Sequence, residues 1–331
     1  MRKYRLQLAL LALILFTNCS KKEEVNASIL KGKSWRFAVV GDTHVTTGSD
    51  TIQEMIPYFI SDSIDLVVVC GDIVEGGLRT TSTQMSQELQ MWENIFNSLY
   101  DKGIGVYTMR GNHENDVTNN LIAWNAMFSG SKQMPQNGPS GEENLTYSFE
   151  HNNAKFIILD DYVTIHRVNQ AWLDQQLNSN TKPHIFVFGH EAAFKVFHSD
   201  CLDDYPTERN TFWQSIENAG VKAYFCGHDH FFDACKINNG DEDLNNDIYQ
   251  VLVGGGGGWL MSKYQYNSSN SPYTQTAIYH RNQHGYALVE INGDSSTDLE
   301  VTISWKERVE NQSGVEYVAT NNIIKYTVQT K

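Results

Sequence analysis

Short, almost wholly apolar runs alternate along this chain with stretches whose apolar residues recur at helical spacing. "WRFAVVGD" reads as a buried strand ending at Asp42. The following "TIQEMIPYFIS" places Ile52, Met55, Ile56, Phe59 and Ile60 on one helical face. "DLVVVCGD" predicts a second strand, and Met85, Leu89, Trp92, Phe96 and Leu99 mark a second helix. "IGVYTMRGNHE" is a third strand and turn, leading into helical "LIAWNAMF". After the turn-rich loop "SKQMPQNGPSGEEN", a hairpin across Asn152-Asn153 is followed by the helix "NQAWLDQQL". "HIFVFGHE" and "AYFCGHDH" are further buried strands flanking the helical "TERNTFWQSIENAG". "IYQVLVGGGGG" runs from a strand into five glycines, and "GYALVEINGD" with "LEVTISW" closes the pattern as an antiparallel pair. Val- and Ile-rich strands alternating with helices predict an α/β sheet covered on both faces. No internal repeat or domain boundary interrupts residues 34–331, which read as a single domain.

The first 33 residues follow different rules. Arg2, Lys3 and Arg5 precede "LQLALLALILF", an apolar segment too short for a comfortable membrane span. Cys19 follows at once, then the polar tether 19–33. Residues 1–18 resemble a bacterial lipoprotein signal peptide, with Cys19 as the lipidated residue of an exported, membrane-anchored protein. "SKKEE" after the cysteine resembles the tether of lipoproteins sent to the outer-membrane cell surface. A cleaved secretory signal is the alternative. Of the four cysteines beyond the signal, Cys70 and Cys226 end apolar runs and read as buried. Cys201 and Cys235 have polar neighbours and are candidates for a disulfide in an oxidising compartment.

The chain carries 25 basic and 39 acidic residues, a formal charge of −14. That balance argues against duplex nucleic acid as a general partner, since backbone binding relies on clustered Lys and Arg. It leaves room for a small phosphorylated substrate held by metal ions.

The chemistry collects where the apolar runs end. Asp42-Thr43-His44, Asp72, Asn112-His113, His190 and His228-Asp229-His230 each follow a strand, with glycine at the turn. Five of the eleven histidines lie there. In α/β proteins, binding groups gather beyond the carboxyl ends of the strands. Asp, Asn and His suit Fe, Mn or Zn, and seven such ligands are more than one ion needs. His151, His166, His184 and His198 lack this correlation and read as structural. Glu114 reads as a first-turn acid near a helix N-terminus. The five glycines Gly254–Gly258 lack the Lys-Ser/Thr of a nucleotide phosphate loop, so close backbone approach near the metals is the better account. Residues from Trp259 to His284, including Arg281, are read either as a lid over the site that selects the leaving group or as a surface excursion.

"GDTH", "GDIVEG", "GNHE", "GHE" and "GHDH", in that order, resemble the calcineurin-like metallophosphoesterases over roughly residues 35–292. The layout is closest to purple-acid-phosphatase-like members. The resemblance implies a four-layer α/β/β/α sandwich of two mixed sheets. It places Asp42, His44 and His230 on one ion, Asn112, His190 and His228 on a second, and Asp72 on both. Two such ions, about 3.5–4 Å apart, clamp a phosphoryl oxygen and bind a hydroxide nucleophile. His113 is implied as the acid protonating the leaving-group oxygen, with Glu75 where an acidic residue in some members orients that histidine. Because Glu75 replaces the metal-binding tyrosine of purple acid phosphatases, no purple chromophore is expected. Asp229 is implied as a bystander, in the outer shell or facing solvent. The resemblance favours a phosphomonoesterase. The alternatives are a phosphodiesterase acting on cyclic nucleotides, nucleic-acid ends or lipid head groups, and a non-catalytic surface binding lipoprotein.

Overall fold

The computed structural model describes residues 34–243, 245–262, 265–266, 271–292 and 299–328. The leader, the tether and Cys19 lie outside these residues. The chain runs through β1 (Trp35–Val40), α1 (Ser49–Ser61), β2 (Leu66–Val69), α2 (Ser82–Tyr100) and β3 (Gly105–Thr108). Two short helices, α3 (Asn112–Asn115) and α4 (Asn120–Met127), precede the hairpin β4 (Tyr147–His151) and β5 (Ala154–Ile158). Then come α5 (Gln170–Asn178), β6 (His184–Phe188), α6 (Pro206–Asn218) and β7 (Ala223–Cys226). β8 (Phe232–Asn238), β9 (Ile248–Val253), β10 (Thr274–Arg281), β11 (Gly285–Asn292), β12 (Leu299–Asn311), β13 (Gly314–Ala319) and β14 (Ile324–Val328) complete the chain.

The strands form two mixed sheets of seven. One is ordered β13-β12-β11-β1-β2-β3 with β14 also on β12; the other is β10-β8-β9-β7-β6-β5-β4. In the first, β1, β2 and β3 are mutually parallel. In the second, β5, β6, β7 and β9 are parallel. Alternation of side chains along each strand builds two apolar layers. Phe156, Phe186, Phe188 and Phe225 face inward and surround Phe37 of β1, with ring centroids 5.0–6.5 Å away. Ile157, Ile185, Val187, Tyr224 and Cys226 on the same strands face outward into a second core with Trp172 and Leu173 of α5 and Phe212, Trp213 and Ile216 of α6. Helices α1 and α2 bury Met55, Phe59, Leu89 and Trp92 against the first sheet, in one continuous cluster with its strands. The architecture is the four-layer α/β/β/α sandwich. The predicted helix over Met85–Leu99 starts earlier, where Thr81 and Gln84 cap each other reciprocally.

Two regions differ from the sequence reading. The stretch from Trp259 to His284 contains β10, an edge strand paired antiparallel to β8, so this part is sheet and not lid. All four described cysteines are buried and unbonded. Cys235, despite its polar neighbours, packs in the outer core from β8. No helix among the described residues is long and apolar enough to cross a membrane.

Candidate metal centre

The carboxyl ends of the two parallel strand sets meet at one edge of the sandwich. The Gly41 N–H after β1 donates to the Val253 carbonyl at the end of β9, 2.9 Å away, joining the two sheets there. The turns after β1, β2, β3, β6 and β7 therefore converge, and all seven residues singled out as ligands stand in them. Four of the seven hold the left-handed backbone region: Asp42 (φ 58°), His44 (φ 42°), Asp72 (φ 47°) and His228 (φ 71°). For residues other than glycine this costs on the order of 1–3 kcal/mol each. It persists because neighbouring loops bind one another: Asp42 N–H donates to Gly71 O and His44 N–H to Asp72 O, each at 3.0 Å.

The ligand atoms form two overlapping sets. Asp42, His44, Asp72 and His230 each offer an atom within 4.8 Å of the others, as do Asp72, His190 and His228. Asp72 belongs to both. Its Oδ1 accepts the His113 main-chain N–H at 2.9 Å. Its Oδ2 lies 3.6 Å from His44 Nε2 of one set and 3.5 Å from His190 Nε2 of the other. Asn112 joins the second set, with Oδ1 3.2 Å from His190 Nε2.

The tautomers of the histidines are set from behind. His190 Nδ1 donates to the Cys70 carbonyl at 2.7 Å and His230 Nδ1 to the Trp259 carbonyl at 2.9 Å. Each ring therefore turns an Nε2 lone pair inward, the arrangement that prepares a histidine for a metal. The Nε2 atoms of His44 and His230 face each other at 3.1 Å, with Asp42 Oδ1 3.5 Å from His230 Nε2. His228 is nearly fully buried, and its Nε2 has no hydrogen bond, only the Asp200 carboxylate at 3.6 Å. Inward-facing imidazole nitrogens, a buried nitrogen without a hydrogen bond and two buried carboxylates fit a pair of borderline divalent cations.

Electrostatics point the same way. Burial disfavours the charged form of His44, but the carboxylates of Glu75, Asp72 and Asp42 outweigh it and lift its pKa to about 9. Burial likewise opposes the charge of Asp72, yet His190, His113 and His44 hold it well below the usual carboxylate range. This cluster seeks positive charge.

The remaining predicted residues fall as follows. His113 stands 4.5 Å from His44, ring to ring. Its Nδ1 bonds to the main-chain carbonyl of Glu75, while the Glu75 carboxylate turns toward Thr47 and His44. Trp259 is beside the site through its carbonyl, with an 84% exposed side chain. Arg281, on β10, pairs with Glu307 of β12 in the other sheet at 3.2 Å and lies over the Tyr279 ring. Asp229 accepts from the Phe197 and His198 main-chain N–H groups, each at 3.0 Å, and from His198 Nδ1 at 2.6 Å, anchoring that loop. The glycine run approaches closely: Gly256 N–H donates to Gly41 O and Gly258 N–H to Asp42 O, each at 2.9 Å. A Cβ on Gly258 would meet His230 at 2.7 Å and His44 at 2.8 Å.

Sequence reasoning undervalued two acids. Glu114, fully buried, accepts from Gly111 N–H at 2.7 Å, Val74 N–H at 2.9 Å and Asp72 N–H at 3.1 Å, clamping the β2 turn to the β3 turn. Asp161 accepts from His190 N–H at 2.8 Å and Glu191 N–H at 2.9 Å. The signal was present in "IILDD", a sixth apolar run ending in carboxylates.

A two-sheet α/β/β/α sandwich with a His/Asp/Asn cluster at its carboxyl edge defines a class, the metal-dependent phosphoric-ester hydrolases. A family model for the calcineurin-like phosphoesterases matches residues 36–232, more than half the sequence. The chain belongs to that family, whose members depend on two metal ions. No curated protein matches the sequence significantly. Among solved structures, a purple acid phosphatase from yellow lupin (Lupinus luteus) seeds superposes with a TM-score of 0.64 at 15% identity, covering 90% of this chain and 54% of the lupin chain. This chain thus spans about half the lupin enzyme. The anchor of the Plasmodium inner membrane complex superposes with a TM-score of 0.58 at 16% identity, over 90% of this chain and 89% of its own. A dimetal phosphatase from Danio rerio gives 0.53 at 11% identity, over 90% and 99%. At these identities the likeness is one of fold.

Proposed function

We propose that this chain is a two-metal phosphomonoesterase acting on a small phosphorylated substrate. Asp42, His44 and His230 hold one ion, Asn112, His190 and His228 the other, and Asp72 serves both. The observation that carries the reading is the position of Asp72 Oδ2, 3.6 Å and 3.5 Å from one histidine nitrogen of each set. The donors suit Fe, Mn or Zn. When bound, the ions supply Lewis acidity toward a phosphoryl oxygen and toward water.

The chain's own residues do the rest. Asp72 keeps one oxygen for the centre because the His113 main-chain N–H occupies the other. With Nδ1 of His113 committed to the Glu75 carbonyl, Nε2 is the atom that holds a proton for the leaving-group oxygen. Removing that proton donor should matter most for leaving groups that need it.

The lupin and Danio rerio neighbours are named as phosphatases, which supports hydrolysis over a purely binding role. The Plasmodium neighbour is named as an anchor; the complete set of seven candidate ligands here favours catalysis. The N-terminal segment supports export and lipidation at Cys19, so Cys19→Ser should abolish incorporation of labelled palmitate. For the activity, the metal-free protein is reloaded with Mn²⁺, Zn²⁺ or Fe²⁺ and assayed on para-nitrophenyl phosphate and bis-para-nitrophenyl phosphate. Faster turnover of the monoester is expected. Preference for the diester would overturn the monoesterase assignment, and turnover of neither with two ions bound would overturn both.

A further inference from the structure

We infer that Glu75 is a positioning residue for His44, and through it for the ion held with Asp42 and His230, and that its side chain is not what orients His113. The inference rests on the proposed role of His44 as a ligand.

Two parts of Glu75 do two different jobs. Its main-chain carbonyl accepts from His113 Nδ1, so the orientation of His113 is set by the backbone and survives a change of side chain. Its carboxylate lies within 4.8 Å of a ring nitrogen of both His44 and His113, but its hydrogen bond and ion pair are with Thr47 and His44. Oε2 accepts the Thr47 hydroxyl at 2.5 Å and stands 3.7 Å from His44 Nδ1, at ion-pair distance. The other nitrogen of that ring, Nε2, is the one 3.6 Å from Asp72 Oδ2 and 3.1 Å from His230 Nε2. A carboxylate 3.7 Å from Nδ1 favours the tautomer protonated there, which leaves the lone pair on Nε2 for the centre.

The same task falls to neutral main-chain carbonyls at His190 and His230. His44 is thus the one of these three ligands backed by a charged group, which raises its basicity as a donor. Bracing matters here, because His44 sits in the left-handed region. Glu75 ties the two turns together, donating its main-chain N–H to Val45 O at 2.7 Å. Thr47 in turn donates to Glu75 from the β1 turn. The Glu75 side chain is 41% exposed, so replacing it leaves the core intact.

The test is calorimetric titration of the metal-free protein with Mn²⁺, comparing wild type, Glu75→Gln, Glu75→Ala and Thr47→Val. The account predicts two ions in wild type. In both Glu75 variants one ion should weaken about 10–100-fold, the range for loss of an outer partner of a ligating histidine, while the other is unchanged. Thr47→Val should weaken the same ion less. Turnover of para-nitrophenyl phosphate and of an alkyl phosphate should fall by one common factor in Glu75→Gln and recover with excess Mn²⁺. Unchanged ion affinities, with a selective loss on the alkyl phosphate that Mn²⁺ does not restore, would return Glu75 to His113 and overturn the inference alone. A wild type that binds no Mn²⁺, Zn²⁺ or Fe²⁺ would overturn the proposed function as well.

Discussion

Glu114→Ala removes the carboxylate that three main-chain donors share. Gly111 and Asp72 N–H both reach Oε2 and Val74 N–H reaches Oε1, at a fully buried site. Each buried donor left without an acceptor costs about 1–3 kcal/mol, and water entering the vacated space recovers part of it. A net loss of about 3–5 kcal/mol is expected, a large fraction of the roughly 5–15 kcal/mol that a domain possesses. At about 2 °C per kcal/mol for a large domain, the melting temperature of the metal-free protein should fall by about 6–10 °C. Glu114→Gln is the informative companion. Its single carbonyl can take the Oε2 position and keep two of the three bonds, while its amide meets the Val74 N–H, so about half the loss is expected. Because the clamp joins the turns carrying Asp72 and Asn112, the Ala variant should also bind metal more weakly. Calorimetric melting with and without Zn²⁺ measures both. A Glu114→Ala protein that melts within 2 °C of wild type and keeps its metal affinity would refute the clamp.

Other consequences are as direct. Burial lowers the His184 pKa to about 4, and neither ring nitrogen has a partner. The unfolded chain takes up the proton near pH 6.5, so this contribution to stability is full above 6.5 and drains away as pH falls toward 4. At about 1.4 kcal/mol per pH unit the loss is on the order of 3 kcal/mol. Urea titrations of metal-free His184→Leu should lack that decline, and a decline equal to wild type would contradict the assignment. Gly258→Ala should weaken metal binding by about tenfold through the collision with His230 and His44, read by Zn²⁺ titration; unchanged affinity would show the glycine run has slack. His113→Ala should keep its metal content but lose alkyl-phosphate turnover by about 10²–10⁴-fold, and full activity would remove it from the acid role.

Much of this was legible in the chain because parallel strands buried on both faces read as continuous apolar runs, and a polar turn at the end of such a run stands out. Asp42, Asp72, Asn112, His190 and His228 were visible for that reason, and Phe37 to Trp92 declared themselves as core. The second sheet was not separable from the first, since Phe186 and Val187 look alike in sequence while facing different layers. β10 escaped notice because its residues are mostly exposed at a sheet edge and carry no apolar period. Asp161 was passed over for want of a glycine or histidine beside it. Glu75 shows a finer limit: spacing from Asp72 put it at the site, but which of its groups faces which histidine depends on the backbone path and side-chain rotamer of the turn. Arg281 drew attention by its charge, and its side chain pairs with Glu307 of the other sheet, a contact that the sequence does not announce.

The most direct test of the central claim is metal stoichiometry by elemental analysis of wild type and Asp72→Asn after reloading and exhaustive dialysis. The account predicts two ions per wild-type chain and loss of both from Asp72→Asn, because one carboxylate oxygen serves both sets. A wild type that retains at most one ion, or an Asp72→Asn variant that retains two with unaltered affinity, would contradict it.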